Sequence, residues 1–290
     1  MLSVTALTSY LYCRRKLYLQ KVLKFYEPIK EPAIRGTIRH EVCEQINNIE
    51  ESIVTAITKK STKEELFNKY KAAHSKILLD AIRKYKGQLS ELNIKPNEVF
   101  KQTWPLIMEE SITRAKNIWE FMQLNLIYGK ELWEKLTPKI KSEFKISSEK
   151  MNLTGVIDQI EFYEKGCVPV EIKTGQCPKE GVWPNHKIQI AAYALMLEEL
   201  YGAEIKEGFV TYLDAKQRRH VPINIFLKQE IAELTEKTAS LLNSREVPEK
   251  AGNMNKCRSC GLKDACYDEK KLEKRHEELF VIQKEQKQNI

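Results

Sequence analysis

Two carboxylates and a lysine near the middle of the chain form the pattern best suited to metal chemistry. Asp158 lies in one predicted strand, and Glu171 and Lys173 lie at the end of the next. Side chains two residues apart in a strand share a face, and a hairpin neighbour can bring Asp158 alongside them. Paired carboxylates suit Mg²⁺ or Mn²⁺, and a lysine beside the ion can stabilise charge that develops on a phosphate. The combination indicates metal-assisted phosphodiester hydrolysis.

The same residues have a plainer interpretation, because a Glu-x-Lys tripeptide occurs often by chance as a surface ion pair. The tripeptide alone favours that interpretation. Its neighbours Val168, Val170 and Ile172 are apolar, however, and they predict a central strand, where charged side chains need a functional reason. This context favours the metal site.

Three further polar residues flank the pattern. Gln189 and Tyr193 are four residues apart in a predicted helix and therefore share a face, and His40 lies near a helix start. Taken singly, Tyr193 suits a core equally well, and a lone histidine is more often structural than a ligand. Their order along the chain is the informative feature.

Four of the seven cysteines have the spacing of a metal centre. Cys257, Cys260 and Cys266 form a C-x₂-C-x₅-C motif, which brings three thiolates together and leaves one ligand missing. Cys13, beside two arginines, is the natural fourth. Spacing alone leaves zinc and an iron–sulfur cluster equally open, since both accept four sulfurs. The cysteines without paired spacing, which we expect to be ordinary residues, are Cys43, Cys167 and Cys177.

The elements that must position these residues change character along the chain. Helical spacing of apolar residues predicts a helical N-terminal half, short β-branched runs predict a small sheet crossed by a helix, and a cysteine-rich end follows. Predicted helices span 5–25, 35–49, 62–88, 105–136, 184–201, 227–242 and 268–289, and predicted strands span 141–148, 152–162, 167–172, 208–213 and 219–225.

Composition fits an intracellular protein with a polyanionic partner. Lys and Arg outnumber Asp and Glu by 48 to 40, and the net charge of +8 gives weak support for nucleic-acid binding. No apolar run approaches the ~20 residues of a membrane span, and the N-terminus lacks the charge order of a signal peptide. We therefore expect a cytoplasmic protein with no membrane partner, whose cysteines are thiols or metal ligands.

The ordered motifs RGTIRHE, GVID, EIK and QIAAY resemble the motif set of the PD-(D/E)XK nucleases in their RecB-like branch. The resemblance implies that the divalent metal is bound by His40, Asp158, Glu171 and the backbone carbonyl of Ile172. The family's proline before the first acid is absent here, as it is in many RecB-like members.

The same resemblance implies roles for the remaining polar residues. Lys173 would be catalytic, and Gln189 and Tyr193 would support the lysine and the DNA backbone. Glu143, in the preceding predicted strand, matches an acidic position and would be an accessory residue.

The cysteine order resembles that of the iron–sulfur RecB-like nucleases, and the opening TALTSYLYCRRKLYL resembles the N-terminus of the CRISPR-associated Cas-four (Cas4) exonucleases. This implies a four-iron, four-sulfur (4Fe-4S) cluster on Cys13, Cys257, Cys260 and Cys266. It also implies an α/β fold with a restriction-endonuclease-like core, which is a small mixed sheet flanked by helices. We expect one nuclease domain over 1–290, divided into a basic N-terminal helix (1–30), a helical region (31–138), the nuclease core (139–245) and a C-terminal iron–sulfur module with its tail (246–290).

The activity implied by the resemblance is that of a metal-dependent DNA exonuclease. It would prefer single strands or overhangs and process prespacer ends for CRISPR adaptation, with the integrase subunits Cas-one and Cas-two. We expect the basic N-terminal helix and the 62–136 helices to wall a DNA channel, with Tyr193 or Trp183 stacking on bases. A DNA-repair nuclease outside CRISPR and a non-catalytic DNA-end-binding subunit stay open as alternatives, as do cleavage polarity and homo-oligomer formation.

Overall fold

A mixed β-sheet carries the residues of the central motifs. The computed structural model describes the backbone of residues 1–288 and the side chains of residues 1–279. The strands are β1 (Leu2–Ser3), β2 (Lys139–Ser148), β3 (Leu153–Tyr163), β4 (Gly166–Lys173), β5 (Glu207–Tyr212) and β6 (Gln217–Pro222). They pair in the order β1-β3-β4-β5-β6, and β2 pairs with β3 beside this path.

Helices occupy most of the remaining chain. They are α1 (Val4–Tyr12), α2 (Arg14–Lys21), α3 (Glu31–Thr55), α4 (Lys63–Lys84), α5 (Lys86–Glu91), α6 (Pro96–Asn125), α7 (Gly129–Lys135), α8 (Pro184–Tyr201), α9 (Ile225–Asn243), α10 (Met254–Arg258), α11 (Lys263–Tyr267) and α12 (Glu269–Gln288). None of the helices within residues 1–288 is long and apolar enough to cross a membrane.

Strand pairing follows the predicted hairpins. β2 with β3, β3 with β4, and β5 with β6 are antiparallel. β4 and β5 are parallel, and α8 makes the crossover that parallel neighbours require. The short β1 pairs in parallel with β3 and was not predicted, because two residues are too few to show a pattern.

Helix α8 covers one face of the sheet because its sequence is small and apolar on several sides. Ile190, Ala191 and Leu197 are fully buried in the core that α8 shares with the strands. Pro184 lies in the first turn, where a missing N–H breaks no helical hydrogen bond, and Gly202 ends the helix with a φ of 67°. The observed bounds equal the predicted span 184–201.

The N-terminal half forms a separate helical layer built on α3, α4 and α6. Thr62 and Glu65 form a capping box that starts α4. Two apolar clusters hold the layer together, one containing Ile38 and Leu78 and the other Tyr70 and Ile118. The predicted helix 105–136 was wrong at its start. α6 begins at Pro96, and its packing against α4 outweighs the local helix-breaking effect of an internal proline.

The two ends of the chain share one apolar cluster. It joins Tyr18, Leu19 and Leu23 near α2 to Leu262 and Leu272 in the cysteine-rich segment. These five side chains are almost completely buried. The α2 segment and the cysteine-rich segment therefore pack as one region, together with Leu241 of α9.

Candidate active site

The β3–β4 hairpin brings the two central carboxylates together. Asp158 Oδ2 accepts a hydrogen bond of 2.7 Å from the backbone N–H of Ile172, which fixes the β3 carboxylate against β4. Side chains two residues apart in β4 share a face, so Glu171 lies on the same side as Lys173. Lys173 Nζ donates to Glu171 Oε1 at 2.5 Å. The structure thus groups the three residues of the GVID and EIK motifs.

Glu171 is the most unusual member of this group because it is only 2% exposed. Its second carboxylate oxygen, Oε2, is buried and has no hydrogen-bond partner among the described residues. Burial, and then the negative charge of Asp158, raise the pKa of Glu171 well above its ordinary value, while Lys173 and His40 oppose the rise. A cation between the two carboxylates would remove this repulsion and occupy the free oxygen.

His40 reaches the carboxylates from α3. Its Nδ1 lies 3.5 Å from Asp158 Oδ1. Burial acts to lower the pKa of His40, but the hydrogen bond and charge of Asp158 outweigh it, and the pKa is raised. Ligand atoms of His40, Glu143 and Asp158 all lie within 4.8 Å of one another, the spacing of a metal-binding group. The imidazole and carboxylate donors fit a divalent ion such as Mn²⁺.

Gln189 and Tyr193 support the site from beneath. Lys173 Nζ donates to Gln189 Oε1 at 3.1 Å, and Gln189 Nε2 donates to the Tyr193 hydroxyl at 3.5 Å. The Tyr193 ring lies under Gly155, where an added Cβ would be 2.7 Å from Cε1. Gly155 therefore has to lack a side chain, a meaning of the GVID motif that its spacing alone did not reveal.

The expectation that Tyr193 stacks on bases is wrong. Tyr193 is 1% exposed and enclosed by α8 and β3, so it cannot stack on a base. Trp183, the other residue expected to stack on bases, is 42% exposed, so burial does not exclude that role. Arg15 in the basic N-terminal segment is buried and donates to the backbone carbonyls of Pro248 (2.7 Å) and Cys266 (3.0 Å), so it holds the cysteine-rich segment rather than phosphates.

A cavity of about 410 Å³ lies between the helical layer and the sheet, on the side of Ile172. Its walls come from α3, α6 and the strands. Arginines in this cavity are paired with acids of the chain: Arg218 with Glu161, and Arg114 with Glu50 and Glu110. The wall is therefore of mixed charge rather than uniformly basic.

The four motif cysteines line a single pocket. Cys13 caps α2, where its Sγ accepts from the N–H of Lys16 at 3.4 Å. Cys257, Cys260 and Cys266 lie on and between α10 and α11. The other cysteines lie elsewhere, with Cys43 on the cavity beside α6, and Cys167 and Cys177 against the sheet core. Four thiols on one pocket form a donor set that suits a thiolate-bound metal centre.

Comparisons with known proteins identify related chains. A model of the PD-(D/E)XK nuclease superfamily matches residues 1–267. A CRISPR-associated exonuclease Cas4/endonuclease Cas1 fusion of Leptospira interrogans is 30% identical over 152 residues, which are 49% of this chain and 28% of that protein. A CRISPR-associated exonuclease Cas4 of Rhodospirillum rubrum is 29% identical over 42% of this chain and 37% of its own length. One of Francisella tularensis subsp. novicida is 28% identical over 42% of this chain and 60% of its own length. The chain thus spans less than two thirds of each of these relatives.

Proposed function

Since the chain belongs to the PD-(D/E)XK nuclease superfamily, we propose that it is a divalent-metal-dependent DNA exonuclease acting on single strands. The observation that carries the proposal is the buried Oε2 of Glu171 beside Asp158, which has no hydrogen-bond partner within residues 1–279. A carboxylate oxygen without a hydrogen-bond donor is costly inside a protein unless a ligand occupies it. His40, Asp158, Glu171 and the carbonyl of Ile172 would hold the ion, with Glu143 at its edge.

The chain's own residues then have distinct tasks. When bound, Mn²⁺ or Mg²⁺ supplies positive charge that polarises a phosphate and lowers the pKa of a water. Lys173 presents its ammonium group to the developing charge on the phosphate. Gln189 keeps Lys173 in place through the 3.1 Å hydrogen bond, and buried Tyr193 supports Gln189. Lys173 is therefore the catalytic residue in this proposal, and the other two are positioning residues.

The second part of the proposal is a 4Fe-4S cluster on Cys13, Cys257, Cys260 and Cys266. Their shared pocket and the all-thiol donor set support it. The cluster would join the N-terminal and C-terminal segments, which are already linked by hydrogen bonds from side chains to backbone carbonyls. Zinc is the competing metal for the same ligands. Iron analysis and an absorption band near ~400 nm distinguish the two in anaerobically purified protein.

The biological setting we propose is prespacer trimming in CRISPR adaptation. The supporting fact is that the relatives are named CRISPR-associated exonucleases, some of them fused to the endonuclease Cas1. We infer that Cas1 and Cas2 are partners of this chain as well. A DNA-repair nuclease outside CRISPR would use the same site. It would neither copurify with Cas1 nor alter the length of newly acquired spacers in cells.

The activity is tested with end-labelled single-stranded DNA and Mn²⁺. We expect wild type to shorten the strand from an end, and Lys173→Ala to reduce the rate by about 10²–10³-fold. Lys237→Ala is the matched control, because its ammonium pairs with Glu233 on the exposed side of α9. If wild type binds DNA but leaves its length unchanged with Mn²⁺, the non-catalytic DNA-end-binding alternative replaces the proposal.

A further inference from the structure

The strand β2 changes the faces of its side chains at Glu143. Ile140 lines the cavity beside α6, and Ser142 accepts a hydrogen bond from Asn47 on α3. Both side chains therefore lie on the helical-layer side. Phe144 and Ile146 pack into the core beneath α8, on the opposite side. Even-numbered residues of a regular strand share one face, so the alternation must shift between Ser142 and Phe144. Glu143 makes this shift with a φ of 49°.

The partner strand β3 shifts at the same level. Gln159 lines the cavity, whereas Ile157 lies in the core under α8, although both are odd-numbered. The pairing register is unchanged across the shift, since Ser142 pairs with Gln159 and Phe144 pairs with Ile157. Asp158 therefore lies opposite Glu143 at the point where both strands change face.

A left-handed backbone conformation is unfavourable for a residue with a Cβ, so the surroundings have to hold it. The contact next to it is from Asn47 on α3, whose Nδ2 donates to Ser142 Oγ at 2.9 Å. Asn47 is 8% exposed, and its Oδ1 accepts from Arg114 on α6 at 2.7 Å. Arg114 is in turn held by Glu50 and Glu110.

Helix α3 links this contact to the metal group directly. Asn47 follows His40 by seven residues, which is about two helical turns, so the two side chains leave the same side of α3. One helix thus supplies His40 to the group and Asn47 to the strand that carries Glu143.

We propose that Asn47 and Ser142 are positioning residues that hold the turned backbone of Glu143, so that its carboxylate completes the metal site. The proposal rests on the proposed function, since it concerns the same divalent ion. It adds that the helical layer sets the metal affinity through a neutral hydrogen bond, in addition to supplying His40. Arg114 fixes the orientation of the Asn47 amide and so extends the link to α6.

The test is Mn²⁺ affinity, measured by the electron paramagnetic resonance signal of free Mn²⁺ during titration of the full chain. Ser142→Ala removes the acceptor for Asn47, and we expect Mn²⁺ to bind about 10-fold more weakly, as for other residues that orient metal ligands. Ser142→Thr keeps the hydroxyl and should stay within about 2-fold of wild type. Ser147→Ala, on an exposed position of the same strand, is the matched control and should bind as wild type does.

A double-mutant cycle with Glu143→Gln separates positioning from general damage. If Asn47 and Ser142 act through Glu143, then Ser142→Ala adds less than about a 2-fold loss in the Glu143→Gln background. An equal loss in both backgrounds would overturn the proposal, and so would wild-type affinity in Ser142→Ala. Absence of Mn²⁺ binding by wild type would overturn the proposed function itself, which is a distinct result.

Discussion

The acidic site and the four-cysteine pocket are held in place by different means. Strand pairing and the N–H of Ile172 position Asp158 and Glu171. The C-terminal motif cysteines lie on and between two five-residue helices, α10 and α11, which are too short to be stable alone. We infer that a change at the acidic site alters chemistry more than folding, and that a change at the pocket does the reverse.

The contacts around the pocket support this contrast. Arg15 donates to the carbonyl of Cys266, and Lys256 donates to the carbonyl of Tyr12 at 2.8 Å. Glu27 accepts from the N–H of Gly261 at 2.9 Å. Each contact joins two segments more than two hundred residues apart, so each depends on the pocket staying closed. A group bound by four thiols would close it from within.

The largest expected effect is on stability, from Cys13→Ser. We expect the melting temperature to fall by more than about 10 °C, because one cluster ligand and the link between the chain ends are lost. Differential scanning calorimetry on anaerobic protein gives the shift. Cys177→Ser, which alters a cysteine outside the pocket, should shift it by less than about 2 °C. Equal shifts in the two variants would remove the contrast between the regions.

Gly155→Ala tests whether packing beneath the acidic site also matters for folding. The new methyl group would be 2.7 Å from Tyr193 Cε1, and we expect a loss of about 1–3 kcal/mol in the free energy of unfolding. Gly175→Ala is the control, since its added Cβ would meet no atom within 4 Å. Adding Tyr193→Leu should recover part of the loss in urea unfolding. If the single variant is as stable as wild type, the contact between Gly155 and Tyr193 is not restrictive.

Gln189→Met gives the smallest effect and addresses chemistry alone. The substitution keeps the side-chain length but removes the acceptor for Lys173, so we expect about a 10-fold slower cleavage rate with little change in melting temperature. Gln189→Glu retains an acceptor oxygen and should recover most of the rate. A Gln189→Met protein as active as wild type would show that Lys173 needs no support from α8.

The sequence predicted the grouping of Asp158, Glu171 and Lys173 because a strand has a strict period of two. The predicted hairpins and α8 followed from the same local patterns. Four-residue spacing placed Gln189 and Tyr193 on one side of a helix, but it could not tell which side faces the core. The sequence therefore left both a core position and base stacking open for Tyr193, and its burial decides for the core.

Two other features depend on contacts between distant segments. The left-handed residue Glu143 lies inside a predicted strand whose sequence shows no break. It is accompanied by the hydrogen bond between Asn47 and Ser142, which are 95 positions apart in the chain. Arg15 belongs to the basic N-terminal segment that the sequence predicts as a channel wall, but the sequence shows its charge and not its burial. In both cases the partner lies far away in sequence, where a local pattern gives no signal.

The central claim is that Glu171 is kept buried for chemistry rather than for stability, and Glu171→Gln tests it most directly. Glu171→Gln replaces a carboxyl group whose charged form is disfavoured first by burial and then by Asp158, so the metal-free variant should melt within about 2 °C of wild type or higher. The Mn²⁺-dependent shortening of end-labelled single-stranded DNA should fall by about 10²–10³-fold. A stable variant that shortens DNA at the wild-type rate would contradict the account.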